Sequence, residues 1–149
     1  MISAGARAPD FTAMDQDGNQ VSLVDFRGKS ALVLYFYPKD FTPGCTMQAC
    51  SFRDHLEEIR GLGAEVLGIA EGSAEKHRKF AKSFRLGFPL LCDEGGAIAR
   101  AYGLTRFGGL LPARRATFII GRDGIVRGVF HFEIRIWKHA SETLAALRR

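Results

Sequence analysis

One apolar segment, followed closely by residues that start a helix, constrains the fold of this chain more than any other feature. Ala31–Tyr37 is the longest uninterrupted apolar run in the sequence. A continuous run, as opposed to an alternating one, predicts a strand that is covered on both faces. Pro38 cannot continue the ladder of such a strand, and Thr42 followed by Pro43 predicts a helix with Thr42 as its N-cap. A buried strand that leads directly into a helix predicts an α/β fold.

The rest of the chain alternates between strand-like and helix-like segments. The other strand candidates are Glu65–Ala70, Ala116–Gly121 and Ile125–Phe130, and the helix candidates are Pro43–Arg60, Ala74–Phe84, Ala97–Tyr102 and Trp137–Leu147. Turn residues predict a hairpin around Asp17 and Gly18 and another at Arg122–Gly124. This order predicts a thioredoxin-like α/β fold, with a central mixed sheet flanked by helices and an N-terminal hairpin. We expect a single domain over residues 1–149.

Composition excludes several classes of protein. With 46% hydrophobic and 25% charged residues the chain has an ordinary globular composition, and no apolar run approaches the roughly 20 residues of a membrane helix. The net charge is +5, but the basic residues are scattered, and the densest group, within 76–85, is typical of the solvated face of a helix. We therefore expect neither a membrane nor a nucleic-acid partner. No organelle address is recognisable, so a cytoplasmic location is the default expectation.

Cys45 lies where the first turn of the helix after Thr42 is predicted. Backbone N–H groups in a first turn lack helical partners, and the helix dipole there favours negative charge, so the position favours a thiolate. At about 100° per residue, Cys45 also heads the apolar stripe of this helix, whereas Cys50 points about 140° away. Buried cysteine is common, so helix geometry alone leaves a nucleophile and a small core residue equally open.

The surrounding motif resolves this ambiguity. Pro38, Thr42 and Cys45 form a Pro-x-x-x-Thr-x-x-Cys string, and with it the sequence resembles the peroxiredoxins. The string FTPGCT at 41–46, with Cys50 five residues after Cys45, is similar to the bacterioferritin comigratory protein branch, also called peroxiredoxin Q. Similar segments occur along nearly the whole chain: APDF at 8–11, FPLL at 88–91 and RATFII at 115–120.

The resemblance implies a thiol peroxidase that reduces hydrogen peroxide and organic hydroperoxides. It implies that the Cys45 thiolate attacks the peroxide and becomes a sulfenic acid. It further implies that the departing oxygen is stabilised by the Thr42 hydroxyl, by backbone amides beside Gly44 and by Arg115. Pro38 matches the proline that shields this pocket from water. Thr42 can combine such a role with that of a plain N-cap.

Two adjacent arginines compete for the role that the family gives to one. Strand alternation places Arg115 on the same face as Thr117 and Ile119, and Arg114 on the opposite face. The family motif has its arginine two residues before the threonine, which also selects Arg115. We expect Arg114 to be a surface residue.

The resemblance further implies that Cys50 is the resolving cysteine, which forms an intrachain disulfide with Cys45. A thioredoxin or similar dithiol would then reduce that disulfide, and the protein would be a monomer or a weak homodimer. Cys92 is expected to be a packed small side chain, with a resolving role as an alternative. The cysteines and histidines lack metal-ligand spacing, so neither a metal nor another cofactor is expected.

Three other functions are alternatives to a peroxidase. A thioredoxin-type oxidoreductase would carry Cys-x-x-Cys, whereas four residues separate Cys45 from Cys50. A nucleic-acid binder would need clustered basic and aromatic residues. A non-catalytic or redox-sensing protein of the same fold is the alternative that a peroxidase assay must separate from an enzyme.

Overall fold

The strands and helices below come from a computed structural model, which describes residues 1–109, 111, 113–132 and 135–149. The strands are β1 (Thr12–Met14), β2 (Gln20–Ser22), β3 (Ala31–Phe36), β4 (Ala64–Ala70), β5 (Leu90–Cys92), β6 (Ala116–Ile120) and β7 (Val126–Phe130). The α-helices are α1 (Pro43–Asp54), α2 (Leu56–Gly61), α3 (Ala74–Ser83), α4 (Ala97–Ala101) and α5 (Lys138–Arg148). Apart from Pro43–Arg60, each predicted helix or strand has one counterpart here, with ends that differ by a few residues.

The main sheet has the strand order β5-β4-β3-β6-β7, and β1 and β2 form a separate antiparallel hairpin. β3 is parallel to β4, and β4 is parallel to β5. β6 is antiparallel to both β3 and β7, which makes the sheet mixed as predicted. The tight turn between β6 and β7 is closed by a hydrogen bond from Gly124 N–H to Gly121 O at 2.9 Å.

β3 lies at the centre of this sheet and is covered on both faces. Val33 and Tyr35 belong to the core cluster on the face that carries α1, and Leu32, Leu34 and Phe36 belong to the cluster on the other face. All five side chains are at most 1% exposed. The continuous apolar run therefore forms a strand that is covered on both faces, as predicted.

The prediction of one helix over Pro43–Arg60 is wrong, because α1 ends at Asp54 and α2 begins at Leu56. His55 lies between them with φ −107° and ψ 6°. Its ring Nδ1 lies 2.7 Å from Ser51 O, while its backbone N–H donates to the same carbonyl at 3.3 Å. The side chain thus competes for the carbonyl that would continue the helix.

β5 was not predicted as a strand. It has three residues and follows Pro89, which is too short a segment for hydrophobic periodicity to distinguish. It is held by its pairing with β4 and by the Gln16 side chain, whose Oε1 accepts from Leu90 N–H at 2.9 Å.

The basic group within 76–85 lies on the outer face of α3 and just beyond it. Arg78, Lys79, Lys82 and Arg85 are exposed, and Lys79 pairs with Glu75 one turn earlier at 3.4 Å. This agrees with a solvated helix face. In the part of the chain that the structure describes, no helix combines the length and the apolar character needed to span a bilayer.

Candidate active site

The first turn of α1 carries the predicted nucleophile. Thr42 is the N-cap with extended backbone angles, Pro43 is the first helical residue, and Cys45 is the third. The Thr46 N–H donates to Thr42 O at 2.9 Å, while helical geometry gives the N–H groups of Gly44 and Cys45 no acceptor within the helix. The Cys45 side chain is fully buried. Its thiol therefore lies at the positive end of a helix dipole and away from bulk water.

Arg115 brings a fixed positive charge to this thiol. It precedes β6 directly, is 6% exposed, and its Nη2 lies 3.4 Å from Cys45 Sγ. The other terminal nitrogen, Nη1, donates to Gln48 Oε1 at 2.6 Å. Gln48 is fully buried on α1, one turn after Cys45. The two ends of one guanidinium group thus bind two side chains of the same helix, which fixes the orientation of the charge.

Arg114 is exposed, whereas Arg115, Thr117 and Ile119 are buried. The strand-face argument therefore selected the arginine that contacts the thiol. Thr117, two residues after Arg115, lies on the same face of β6. Its Oγ1 is 2.8 Å from Nδ1 of His139 in α5.

The Thr42 side chain is not a helix cap in this structure, which corrects the plain N-cap interpretation. Its backbone occupies the N-cap position, but its hydroxyl donates to Lys39 O at 3.1 Å and makes no capping hydrogen bond. The hydroxyl therefore stabilises the loop that precedes α1. It must turn away from that carbonyl to donate to another acceptor.

The space around Gly44 is too small for a side chain. A Cβ atom at this position would lie 2.7 Å from Ile136 Cδ1 and 3.3 Å from Arg115 Nη2. The absence of a side chain lets Ile136 and the guanidinium approach the first turn of α1 closely.

The three cysteines are all free thiols, and Cys45 and Cys50 lie on the same continuous helix. Cys50 is partly exposed, as expected for the opposite side of α1. Cys92 ends β5, is also partly exposed, and has its pKa raised above the ordinary value by burial. Cys92 belongs to neither core cluster, and its packing role stays a prediction.

Pro38 is half-buried and lines a cavity of about 430 Å³ at the carboxyl ends of β3 and β4. Lys39 and Lys76 also line it. Among the residues that the structure describes, the lining does not include Cys45 or Arg115. The role of Pro38 as a shield for the thiol stays a prediction.

Gln48 is the site residue that the sequence did not reveal. Its amide Nε2 is buried and has no hydrogen-bond partner within the described part of the chain. Gln48 therefore holds a buried donor that the described residues leave unused. The sequence signal that could have identified Gln48 is its position three residues after Cys45, because residues spaced by three share a helix face.

The sequence matches the AhpC/TSA family over residues 4–129. A chloroplastic peroxiredoxin Q of Triticum aestivum is 45% identical over 148 residues, which cover 99% of this chain and 67% of that protein.

Solved structures agree in fold. A peroxidoxin of Mycobacterium tuberculosis is 37% identical, with a TM-score of 0.94 and coverage of 99% of this chain and 97% of that one. The bacterioferritin comigratory protein of Xanthomonas campestris, studied for alkyl peroxide reduction, is 31% identical with a TM-score of 0.85 and coverage of 93% and 90%. These likenesses confirm the predicted thioredoxin-like fold.

Proposed function

This chain belongs to the AhpC/TSA family, in its peroxiredoxin Q branch, and from that premise we propose that Cys45 is the nucleophile of a thiol peroxidase. One observation carries the assignment. A fully buried thiol in the first turn of α1 lies 3.4 Å from the guanidinium of Arg115. Helix dipole and guanidinium charge both favour the thiolate, which is the reactive form of cysteine.

The first chemical step breaks the peroxide bond. The Cys45 thiolate attacks one oxygen of the peroxide, the O–O bond breaks, and Cys45 becomes a sulfenic acid. The other oxygen leaves with the electron pair and takes a proton, giving water or an alcohol. Arg115, the amides of Gly44 and Cys45, and the Thr42 hydroxyl after rotation are the donors that stabilise its charge.

The second step closes a disulfide. The Cys50 sulfur attacks the sulfenic sulfur of Cys45, water leaves, and an intrachain disulfide forms. The place of Cys50 on the same helix as Cys45 supports Cys50 over Cys92 for this role. A thioredoxin-like dithiol then reduces the disulfide by thiol–disulfide exchange.

Hydrogen peroxide and organic hydroperoxides are the proposed substrates. The work on alkyl peroxide reduction by the Xanthomonas campestris relative supports the organic class. A redox sensor of the same fold would be oxidised once per molecule and would not turn over. The cytoplasmic location and the monomeric or weakly dimeric state stay predictions.

The deciding experiment is a coupled assay that follows NADPH oxidation with thioredoxin, its reductase and either hydrogen peroxide or a small alkyl hydroperoxide. Cys45→Ser should abolish turnover with an intact fold. Cys50→Ser should still consume one equivalent of peroxide but lose the thioredoxin-dependent cycle, while Cys92→Ser, the matched control, should keep it. A Cys45→Ser protein that turns over at a near wild-type rate would refute the assignment.

A further inference from the structure

A buried polar cluster lies directly before the active-site helix and is formed by Tyr37, Asp40 and His77. We call it the Asp40 cluster. Asp40 belongs to the loop between β3 and α1, and its carboxylate is almost fully buried. The Tyr37 hydroxyl donates to Asp40 Oδ1 at 2.7 Å, and His77 Nδ1 lies 2.5 Å from Asp40 Oδ2. Both carboxylate oxygens are therefore bound inside the protein.

The partners of His77 define its charge. Its ring is completely buried on α3, and its Nε2 lies 3.1 Å from both Ala70 O and Leu91 O. Carbonyls only accept hydrogen bonds, so Nε2 carries a proton. Burial alone would lower the pKa of His77, but the hydrogen bond and the charge of Asp40 outweigh it and raise that pKa, which favours a second proton on Nδ1. The buried ring is then an imidazolium paired with a carboxylate, an arrangement that offsets the cost of burying either charge alone. It joins the active-site loop to the end of β4 and to the middle of β5.

Phe41, the residue after Asp40, forms a second contact between this loop and the α3 region. Phe41 has φ +66°, a left-handed conformation that residues other than glycine seldom adopt. Its ring packs edge-on against Phe80 at 5.1 Å between centroids and lies 6.2 Å from Phe84. His77 and Phe80 share one side of α3, and Phe84 directly follows the helix, so this segment holds the loop through a charge and through aromatic rings. The loop is thereby fixed up to Thr42.

We propose that Asp40 and His77 are positioning residues of the peroxidase, whose ion pair holds the loop from Tyr37 to Thr42 in the conformation that peroxide reduction by Cys45 requires. This rests on the proposed function of Cys45. Neither residue touches the thiol in the structure. They act through the backbone of the loop, which sets where Thr42 and the first turn of α1 lie. Oxidation of Cys45 depends on that placement, whereas the later attack by Cys50 depends on the opening of α1.

The test is a double-mutant cycle on the oxidation step, with Asp40→Asn, His77→Gln and the double variant. The sole tryptophan, Trp137, follows Ile136, which packs at Gly44, so its fluorescence can report oxidation of Cys45 in stopped flow. Each single variant should lower the second-order rate constant with hydrogen peroxide about ten-fold, because sub-ångström displacements of reacting groups already cost this much. The double variant should lose no more than the singles, since both changes release the same loop.

Two further readouts separate positioning from general damage. The rate of disulfide formation after oxidation, measured by quenching and mass spectrometry, should not fall in the variants. His131→Gln, which changes an exposed histidine outside the cluster and outside α1, should leave both rates unchanged. Near-UV circular dichroism establishes that each variant is folded at the assay temperature, and Asp40→Asn keeps the size and shape of the side chain if His77→Gln does not fold.

Three outcomes would overturn the proposal: oxidation rates within two-fold of wild type in folded variants, losses that multiply in the double variant, or equal slowing of oxidation and disulfide formation. Failure here is distinct from failure of the proposed function. The latter shows as turnover in Cys45→Ser, whatever the Asp40 cluster variants do.

Discussion

Arg115 combines two tasks through the two ends of one planar group. Nη1 is held by Gln48 Oε1 at 2.6 Å, and this contact aims Nη2 at Cys45 Sγ, 3.4 Å away. A guanidinium remains charged throughout the working pH range, so its charge is available to the thiolate and then to the departing oxygen. A lysine would supply the charge without the fork that Gln48 orients.

Replacement of Arg115 by alanine should therefore slow the reaction of Cys45 with peroxide by roughly 10²–10³-fold, the usual loss when one donor to a developing charge is removed. The neighbouring substitution Arg114→Ala is the matched control. It removes an exposed arginine from the same segment and should leave the rate constant within about two-fold, as surface substitutions away from such features usually have small effects. The measurement is stopped-flow oxidation at saturating reductant, and equal losses in both variants would contradict the assignment.

At this scale the sequence predicted a good part of the site. Thr42, Cys45 and Arg115 were selected by motif and strand alternation, although 70 positions separate Cys45 from Arg115. Gln48 was not predicted as a site residue, because the role of a polar residue on a buried helix face depends on its partner, here Arg115, which the local sequence does not show. The Thr42 hydroxyl was also misjudged, since the acceptor that it uses, Lys39 O, depends on the exact course of a loop.

The helix α1 must open for the proposed disulfide to form. Five residues along an α-helix give a rise of about 7.5 Å, a rotation of about 140° and a Cα–Cα distance of roughly 8.6 Å. A disulfide requires Cα atoms within about 4.4–6.8 Å. Cys45 and Cys50 are both inside the continuous helix Pro43–Asp54, so no change of side-chain rotamer can join them.

We expect amide hydrogen exchange over residues 42–52 to be faster in the peroxide-treated protein than in the reduced protein, because the first turns of α1 unwind. Cys50→Ser is the control, since it allows oxidation of Cys45 but no intrachain disulfide, and its exchange there should stay slow. If mass spectrometry finds the Cys45–Cys50 disulfide while protection is unchanged, the opening of α1 is wrong.

The helices and strands were predicted correctly where the local sequence carries signals for them. The prediction failed where contacts between distant residues or side-chain hydrogen bonds determine the secondary structure. β3 and the start of α1 were predicted from an apolar run and from Thr42 with Pro43. The break at His55 has no glycine or proline to announce it and comes from a side chain that competes for a carbonyl. β5 depends on its pairing with β4 and on Gln16, 74 positions away from Leu90.

At the scale of the whole molecule, the Asp40 cluster joins segments that local signals do not connect. Asp40 and His77 are 37 positions apart, and the ring of His77 lies within hydrogen-bond distance of one carbonyl of β4 and one carbonyl of β5. The sequence placed Asp40 beside the catalytic motif and His77 on a helix. It could not predict their pairing, because a charged pair buried across a fold leaves no periodic pattern. The single domain over residues 1–149 stays a prediction.

The charge of His77 makes stability depend on pH. Burial alone would lower its pKa, but the hydrogen bond and charge of Asp40, together with the two carbonyls, outweigh burial and raise the pKa above its ordinary 6.5. The stabilisation is therefore complete below pH 6.5 and is lost as the pH rises through the raised pKa of the folded state. Of the neighbouring groups, Tyr37 and Cys92 have pKa values raised by burial from 10.0 and 9.0, so both stay mostly neutral up to pH 9.0.

The free energy of unfolding of the wild type should accordingly fall between pH 6.5 and 9.0 relative to that of His77→Gln, which carries no titrating group at this position. Urea unfolding of the reduced proteins across this range measures the difference, and comparison with the variant cancels the other titrating groups. A wild-type minus His77→Gln difference that is constant across the range, or that grows with pH, would mean that the buried ring is neutral and that Asp40 holds it by hydrogen bonding alone.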